Sequence, residues 1–324
     1  MWWDYKIPPL LSLCYIAFML QPRSFGQATA SLLCFLLWII ATASAGYLMN
    51  DVADQDDDIV AGKINYAARL SKPMQFGLIL GFVATGFLPW LYLPMTAPIL
   101  ILIILELFLL AAYSFRPFRF KEKIFFGPFC DALFGHTIPS LIAILAVAGK
   151  DAVFGSVFFM ILALWQLARG WRNILVHQID DRKNDRAADT KTFVTKYGPF
   201  FTIRLINRVI LPVEFILFLI FLFYLIIPLP WLFIGFIVFI IFTGLQFSIW
   251  KFFSLNKRHF LKKFLYFLNN YYENWMPVIV IISLVSISFS YIVWLFFHLL
   301  LFPNVFIYFF HNSGIIKKNI LNFP

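Results

Sequence analysis

Acidic residues are scarce in this 324-residue sequence, which contains 16 of them against 26 lysines and arginines. Charged residues of both signs make up only 13% of the chain, whereas hydrophobic residues make up 62% and aromatic residues 20%. An average soluble domain has about 25% charged residues, so this composition excludes an ordinary soluble fold. An apolar excess of this size predicts a polytopic membrane protein whose helices face lipid.

Cysteine is also rare, with three residues that lie far apart in apolar stretches. They are too few and too dispersed to predict a disulfide framework or a zinc site. The net charge of +10 is spread over the loops between apolar runs. This distribution is typical of the signals that orient membrane proteins, and we do not expect a nucleic-acid partner.

Hydropathy predicts nine membrane spans, because about 20 apolar residues cross the hydrocarbon core. The predicted spans are residues 7–20, 28–49, 74–93, 97–113, 125–148, 153–174, 209–227, 231–250 and 276–302. We therefore expect an all-α integral membrane protein with one domain over residues 1–302 and a C-terminal tail over residues 303–324. A cleaved signal peptide is the alternative for the first apolar run, which contains Pro8 and Pro9.

Lysines and arginines are distributed very unevenly between the two faces of this topology. The face with the N-terminus and the loops after the second, fourth, sixth and eighth spans has 22 of them, and the other face has 4. This imbalance predicts that the N-terminus and those loops are cytoplasmic and that the C-terminus lies on the opposite side, in a bacterial inner membrane. Residues 251–274 interleave basic and apolar residues, which predicts an amphipathic helix on the anionic inner leaflet.

Nine of the sixteen acidic residues fall into two short windows, residues 51–58 and residues 180–189. In the first window the four-residue spacing of Asn50, Asp54 and Asp58 places their side chains on one face of a helix. The same spacing recurs in the second window, at His177, Asp181, Asp185 and Asp189. Each window follows an apolar span on the predicted cytoplasmic side, so two acidic stripes are expected at one face of the membrane.

Carboxylates at this spacing repel one another, so the two stripes require compensating cations. Mg²⁺ suits them, because it binds through one or two carboxylates together with substrate phosphates. Such a site would bind the diphosphate of an allylic prenyl donor, and metal and basic residues would stabilise the charge that develops on this leaving group. For either window taken alone, a solvated cluster that pairs with basic neighbours is the alternative.

Both windows resemble the motifs of the UbiA superfamily of intramembrane prenyltransferases. Asn50-Asp51-x-x-Asp54-x-x-x-Asp58 is similar to its first motif, Asn-Asp-x-x-Asp-x-x-x-Asp, and Asp181-x-x-x-Asp185 is similar to its second. The resemblance covers most of residues 1–300 and implies a nine-helix bundle around a central cavity with a cytoplasmic cap. It further implies two Mg²⁺ ions bridging to the diphosphate. The implied catalytic residues are Asp54, Asp58, Asp181 and Asp185, and the implied metal ligands are these four together with Asn50 and Asp51.

The stretch from Tyr113 to Lys121 resembles the Tyr-Ser-x-Pro-Pro-x-Lys-x-Lys sequence of family members similar to chlorophyll synthases. It implies that Arg119 and Lys121 bind the diphosphate and that Tyr113 lines the pocket. Other basic residues near the two windows, which we also expect to bind the diphosphate, are Lys63, Arg116 and Lys183.

Two departures from the family pattern lie near the expected donor and acceptor sites. Gly62-Lys63-Ile64-Asn65 replaces the Arg-Pro pair that many members have after the first motif, and Asp189 stands where a glycine is common. These departures leave the metal ligands in place. The identity of the acceptor is therefore the part of the prediction that they leave open.

Several other ionisable residues are candidates for the acceptor pocket. Asp131 and His136 lie in the fifth predicted span, where an intramembrane ionisable residue is often functional, although Asp131 could instead pair with Arg119 or Lys123. His177 could orient the carboxylate one turn later, act on the acceptor, or have only a structural role. Glu106 and Glu214 lie in the fourth and seventh predicted spans and are similarly ambiguous: each could be functional, or a neighbouring helix could cap it.

We therefore expect a Mg²⁺-dependent prenyltransferase that ionises an isoprenyl diphosphate, transfers the prenyl group to a lipophilic acceptor, aromatic or not, and releases diphosphate. Its expected partners are the donor, the acceptor and membrane lipids. A terpene cyclase that uses the same donor is the first alternative. The others are transfer of a phosphoribosyl group to a lipid phosphate, and a cation transporter, which would need ionisable residues deep in the spans.

Overall fold

Helices make up all of the regular structure in the part of the chain that the computed structural model describes, which is residues 2–60, 62, 64–148, 155–187, 189–252, 264–308 and 310. In chain order the α-helices are α1 Trp2–Leu20, α2 Phe25–Ala53, α3 Gln55–Val60, α4 Lys72–Phe87, α5 Ala97–Ser114, α6 Phe126–Ala132, α7 Ile138–Ala148, α8 Ser156–Ala187, α9 Phe193–Tyr197, α10 Pro199–Leu205, α11 Leu211–Tyr224, α12 Pro230–Phe252, α13 Phe267–Asn270, α14 Met276–Ile287 and α15 Ile292–Leu301. The π-helical turns Leu133–Thr137, Ile206–Ile210 and Tyr271–Trp275 join α6 to α7, α10 to α11 and α13 to α14.

Proline in the first turn marks the start of several of these helices. Pro73, Pro98 and Pro199 occupy this position in α4, α5 and α10. The first backbone N–H groups of a helix have no intrahelical partner, so proline costs no hydrogen bond there and its fixed φ favours the helix. The starts of these helices are therefore determined locally by the sequence.

Six helical segments within the described residues are long and apolar enough to cross a membrane. They are Phe25–Ala53, Lys72–Leu91, Ala97–Ser114, Phe126–Ala148, Pro199–Tyr224 and Pro230–Phe247. Each overlaps one of the predicted spans. The first, sixth and ninth predicted spans do not meet this criterion, so the prediction of nine spans is not confirmed. The cytoplasmic cap also stays a prediction.

The ninth predicted span, residues 276–302, is not one continuous helix. Ser288 has extended backbone angles, φ −147° and ψ 123°, and it separates α14 from a short 3₁₀ turn and α15. The Ser283 hydroxyl donates to the Ile279 carbonyl at 2.9 Å and the Ser286 hydroxyl donates to the Ser283 carbonyl at 2.7 Å. Serine side chains that bond to backbone carbonyls in this way slightly destabilise the helical ladder just before the break.

The sixth predicted span, residues 153–174, is the beginning of a longer helix. Helix α8 runs from Ser156 to Ala187 and so carries the second acidic window as a direct continuation. Gln166, Arg169 and Arg172 lower the hydropathy of its first half and are buried. The Arg172 guanidinium forms an ion pair with Glu214 of α11, and neither side chain is exposed. A side chain from a neighbouring helix therefore balances the charge of Glu214, in agreement with one of the two expectations for this residue.

The described residues form two compact units. One comprises the chain up to Phe25 together with the chain from Leu219 onward, and the other runs from Gly26 to Phe218. In the first unit α1 packs on α14, and aromatic side chains surround the buried His298 of α15, whose Nδ1 lies 3.4 Å from the Tyr15 hydroxyl. The second unit contains both acidic windows. The single domain over residues 1–302 stays a prediction.

Within the second unit α8 packs closely against α6. A Cβ atom added to Gly170 would lie 2.7 Å from the Ala132 Cα and 3.0 Å from the His136 Cδ2, so only glycine permits this approach of the two helices. The second acidic window is therefore carried on a helix with a tightly defined packing position.

Candidate active site

The first acidic window keeps its helical register across the short break between α2 and α3. The Asp54 amide donates to the Asn50 carbonyl at 3.0 Å, and the Asp58 amide donates to the Asp54 carbonyl at 2.8 Å. These are the i to i−4 bonds of an α-helix. The predicted register, in which Asn50, Asp54 and Asp58 share one face, is confirmed.

The loop between α5 and α6 brings Arg119 to this window. The Arg119 guanidinium donates to the Ala53 carbonyl at 3.1 Å and lies 3.4 Å from the Asp54 Oδ1, and it also forms ion pairs with Asp57 and Glu122. The backbone of Arg119 is left-handed, with φ 40° and ψ 55°. This conformation costs a non-glycine residue about 1–2 kcal/mol, and the contacts of the side chain offset that cost.

Lys121 lies close to both acidic windows. Its ammonium group forms an ion pair with Asp54, and its side chain is 11% exposed against 16% for Asp54. Burial lowers the pKa of Lys121 to about 8, while the carboxylates of Glu122 and Asp185 act in the opposite direction. Since Asp54 belongs to the first window and Asp185 to the second, Lys121 interacts electrostatically with both.

Gly127 allows the Arg119–Lys121 loop to lie over the start of α6. A Cβ atom at this position would be 3.0 Å from the backbone carbonyl oxygens of Phe120 and Lys121. The Gly127 amide also donates to the Lys123 carbonyl at 2.7 Å. A larger residue would push the loop away, so Gly127 contributes to the position of Lys121.

The second acidic window lies on the last turns of α8. Asp185 Oδ2 accepts a hydrogen bond from the Thr192 hydroxyl at 3.2 Å, and the Asp185 carbonyl accepts one from the Thr190 amide at 2.8 Å. One turn earlier, His177 Nε2 is 3.6 Å from Asp181 Oδ2, on an exposed part of the helix. This distance is longer than a hydrogen bond, so an orienting role of His177 toward Asp181 stays a prediction.

The predicted stripe on α8 does not extend to Asp189. Helix α8 ends at Ala187, and Asp189 adopts a left-handed conformation with φ 50°. Glycine adopts this region at no steric cost, whereas aspartate is only tolerated there. The backbone conformation at this position therefore favours glycine.

Asn65 belongs to the site, although neither sequence motif includes it. Its amide nitrogen donates to the Asp58 Oδ2 at 2.8 Å and to the Asp51 carbonyl at 2.7 Å. Its amide oxygen accepts from the Ala68 backbone at 3.1 Å. Asn65 thus fixes the end of the first window, and the only signal in the sequence was its place in the segment that departs from the family pattern.

The remaining residues predicted to bind the diphosphate or to line the acceptor pocket differ in their exposure and contacts. Arg116 and Lys183 are exposed, and Lys63 lies outside the described residues. Tyr113 packs edge-on against Phe134 at 5.1 Å, and Asp131 is half-buried. His136 is buried on a π-helical turn, with Nε2 3.5 Å from the Asn173 amide nitrogen.

A cavity of about 420 Å³ lies on the other side of the first acidic window. Its lining includes Val52, Gln55 and Asp56 of α2 and α3 and Phe76 of α4, and it includes neither Asp54 nor Asp58. Asp56 is therefore an acidic residue of the same window that faces away from the Asp54 stripe.

The oxygen donors of the two windows suit Mg²⁺, the cofactor that the sequence motifs imply. No three histidine, cysteine, aspartate or glutamate side chains come together as a ready metal site in the described part of the chain. Mg²⁺ does not require such a cluster, because it commonly binds through one or two carboxylates and takes its other ligands from substrate phosphates and water. The arrangement fits a metal site that is completed by the substrate.

Solved structures with a similar fold come from Archaeoglobus fulgidus. A UbiA homolog bound to GPP and Mg²⁺ matches with a TM-score of 0.51 and 15% identity, over 84% of this chain and 94% of that chain. The homolog bound to DMAPP and Mg²⁺ matches with a TM-score of 0.48 over the same shares of the two chains, also at 15% identity. The first match shows a UbiA-like fold. None of the curated proteins compared with the chain matches it.

The sequence pattern of the UbiA prenyltransferase family matches residues 10–271, which is most of the chain. This range contains both acidic windows and the Arg119–Lys121 loop. The chain therefore belongs to the UbiA prenyltransferase family.

Proposed function

We propose that this membrane protein ionises an isoprenyl diphosphate in the presence of Mg²⁺ and transfers the prenyl group to a lipophilic acceptor, releasing diphosphate. The observation that carries the proposal is the position of Lys121, which pairs with Asp54 and lies within electrostatic reach of Asp185. A cation between two acidic helix ends is suited to the diphosphate of a donor. The A. fulgidus homolog that was solved with GPP supports this class of donor.

Lys121 and Arg119 would bind the diphosphate oxygens and stabilise the negative charge that develops as the allylic C–O bond breaks. Both side chains are mostly buried, and hydrogen bonds and ion pairs hold Arg119 in place. Positioning of this kind matters because charges fixed before the reaction need no reorganisation during it. Lys63, Arg116 and Lys183 are proposed as additional cations around the leaving group.

Asp54, Asp58, Asp181 and Asp185 are the proposed ligands of two Mg²⁺ ions, with Asn50 and Asp51 assisting. Mg²⁺ would supply Lewis-acid stabilisation of the leaving diphosphate. Asn65 would keep Asp58 oriented, and Thr192 would do the same for Asp185. Tyr113, Asp131, His136 and His177 stay proposals for the acceptor side of the site.

The proposal is tested by replacing Asp54 with asparagine, with Asp56→Asn as the matched control. Asp54→Asn keeps the size of the side chain and removes one charge, so we expect a loss of activity of about 10²-fold or more. Asp56 belongs to the same acidic window but lines the cavity on the other side, so its variant should retain activity. Equal activity of the two variants and the wild type, with unchanged Mg²⁺ dependence, would refute the proposed site.

Product analysis by mass spectrometry separates transfer from cyclisation. The purified protein is incubated with geranyl to geranylgeranyl diphosphates, with and without a membrane lipid extract. A prenylated product that appears only with the extract supports the transferase and identifies the acceptor. A cyclic hydrocarbon or alcohol formed without the extract would instead indicate a terpene cyclase.

A further inference from the structure

Helices α9 and α10 present a group of aromatic rings at the end of the second unit that carries the active-site loops. Tyr197 lies 5.6 Å from Phe201 and 6.0 Å from Phe125 of the α5–α6 loop, measured between ring centroids. These three rings are 37%, 50% and 55% exposed, respectively. The rings therefore contact one another and also face outward.

Basic side chains accompany these rings. The Lys196 ammonium lies 5.2 Å from the centre of the Tyr197 ring. Arg204 of α10 and Arg208 of the π-helical turn that follows are exposed. Residues 190–213 contain four basic residues and no acidic ones. We call Phe125, Lys196, Tyr197, Phe201, Arg204 and Arg208 the basic aromatic surface.

This combination suits the headgroup region of a membrane. Aromatic side chains concentrate at the membrane interface, and arginines near a helix end extend their guanidinium groups toward lipid phosphates. The segment Pro199–Tyr224 is long and apolar enough to span a membrane, and both arginines lie close to its N-terminal end. The uneven distribution of lysine and arginine predicts that this end is cytoplasmic, where the leaflet is anionic.

The same segment is connected to the proposed active site. Thr192 begins α9 with a capping box, in which its hydroxyl accepts from the Thr195 amide and the Thr195 hydroxyl accepts from the Thr192 amide. The Thr192 hydroxyl also donates to Asp185 Oδ2 at 3.2 Å. The position of α9 therefore affects the orientation of Asp185.

We propose that the basic aromatic surface binds anionic phospholipids and that this contact steadies Asp185 through Thr192. The lipid is recognised by its phosphate and net negative charge, through Lys196, Arg204 and Arg208, while the rings contact the upper part of its acyl chains. Only the coupling to Asp185 rests on the proposed function. The binding itself does not depend on it.

Binding is measured by native mass spectrometry of the full chain, delipidated and titrated with phosphatidylglycerol or phosphatidylcholine. The wild type should retain phosphatidylglycerol preferentially. Arg204→Gln/Arg208→Gln should bind it roughly 25-fold more weakly, because each charge near the surface contributes roughly a factor of five. Arg69→Gln is the matched control, since Arg69 is also exposed and lies 5.2 Å from an aromatic ring, that of Tyr66, outside the surface.

Equal binding of the two lipids by the wild type, or equal loss of phosphatidylglycerol in the control and the double variant, would overturn the binding proposal. The coupling is tested in nanodiscs by comparing turnover with and without phosphatidylglycerol. We expect stimulation in the wild type, and its loss in Arg204→Gln/Arg208→Gln and in Thr192→Val. Stimulation that persists in Thr192→Val would overturn the coupling. Absence of any prenyl transfer would count against the proposed function and leave the binding result unaffected.

Discussion

Replacing Glu214 with glutamine removes the charge partner of Arg172 while leaving the size of the side chain nearly unchanged. Arg172 Nε lies 2.5 Å from Glu214 Oε2 and Arg172 Nη2 lies 2.8 Å from Glu214 Oε1, with both side chains fully buried. A guanidinium does not lose its proton in a protein, so Arg172 would stay charged beside a neutral amide. Breaking a buried pair costs about 3–5 kcal/mol, and we expect about 3 kcal/mol because the amide oxygen still accepts one hydrogen bond.

The reverse substitution should be milder. Arg172→Met leaves Glu214 without its partner, but a carboxyl group can take up a proton and become neutral, whereas a guanidinium cannot. Replacing both residues with apolar side chains of similar size, Arg172→Met/Glu214→Leu, removes both charges of the pair. Such replacements of buried pairs are often neutral, so the double variant should be closer to the wild type than Glu214→Gln is.

The chain contains 10 tryptophans, so intrinsic fluorescence in detergent reports its thermal unfolding. From most to least stable, we expect the wild type, the double variant, Arg172→Met and then Glu214→Gln. A Glu214→Gln variant within about 0.5 kcal/mol of the wild type would show that the pair contributes little. A double variant less stable than either single variant would refute the explanation based on an uncompensated charge.

Three further substitutions test individual residues in or next to the proposed site. Asn65→Ala removes the amide that donates to Asp58 at 2.8 Å, so we expect a higher Mg²⁺ requirement for activity and a loss of about 1 kcal/mol of stability; an unchanged Mg²⁺ titration would contradict the positioning role. Burial lowers the pKa of Lys121 to about 8, so pyrophosphate should inhibit less as the pH rises through that value and the ammonium loses its proton. Lys121→Arg stays charged and should lose this pH dependence, and an identical pH profile would exclude Lys121 as the titrating group. Asp189→Gly relieves a left-handed conformation with φ 50° and should raise stability by about 1 kcal/mol in thermal unfolding, whereas a lower stability would show that the aspartate side chain makes a favourable contact.

Hydropathy predicted the apolar helices because a membrane span depends on local composition alone. It did not predict the break at Ser288, because the serines of this run lower its average hydropathy only a little and hydropathy does not report backbone angles. It also treated Arg169 and Arg172 as cytoplasmic charges, although both are buried. Without these two arginines, the predicted cytoplasmic face still has many more lysines and arginines than the opposite face.

In the candidate site, features that depend on neighbouring residues in the sequence could be predicted, and contacts between distant residues could not. The register of Asn50, Asp54 and Asp58 follows from helix geometry, so the sequence was sufficient to predict it. The hydrogen bonds of Asn65 with Asp58 and of Thr192 with Asp185 depend on how loops return to a helix end. Their residue types are common in turns, so nothing in the sequence marks them as partners of the acidic windows.

Helix α8 carries Arg172 of the buried ion pair as well as the second acidic window. The stability of the protein and the geometry of the proposed site are therefore linked. Arg172 fixes the helix against α11 through Glu214, and Gly170 fixes it against α6. Asp181 and Asp185 lie further along the same uninterrupted helix, whose backbone transmits any rotation or shift. A substitution at Arg172 should therefore reduce activity through Asp185 even where the protein stays folded, and it should do so without a change in the charges that bind the donor.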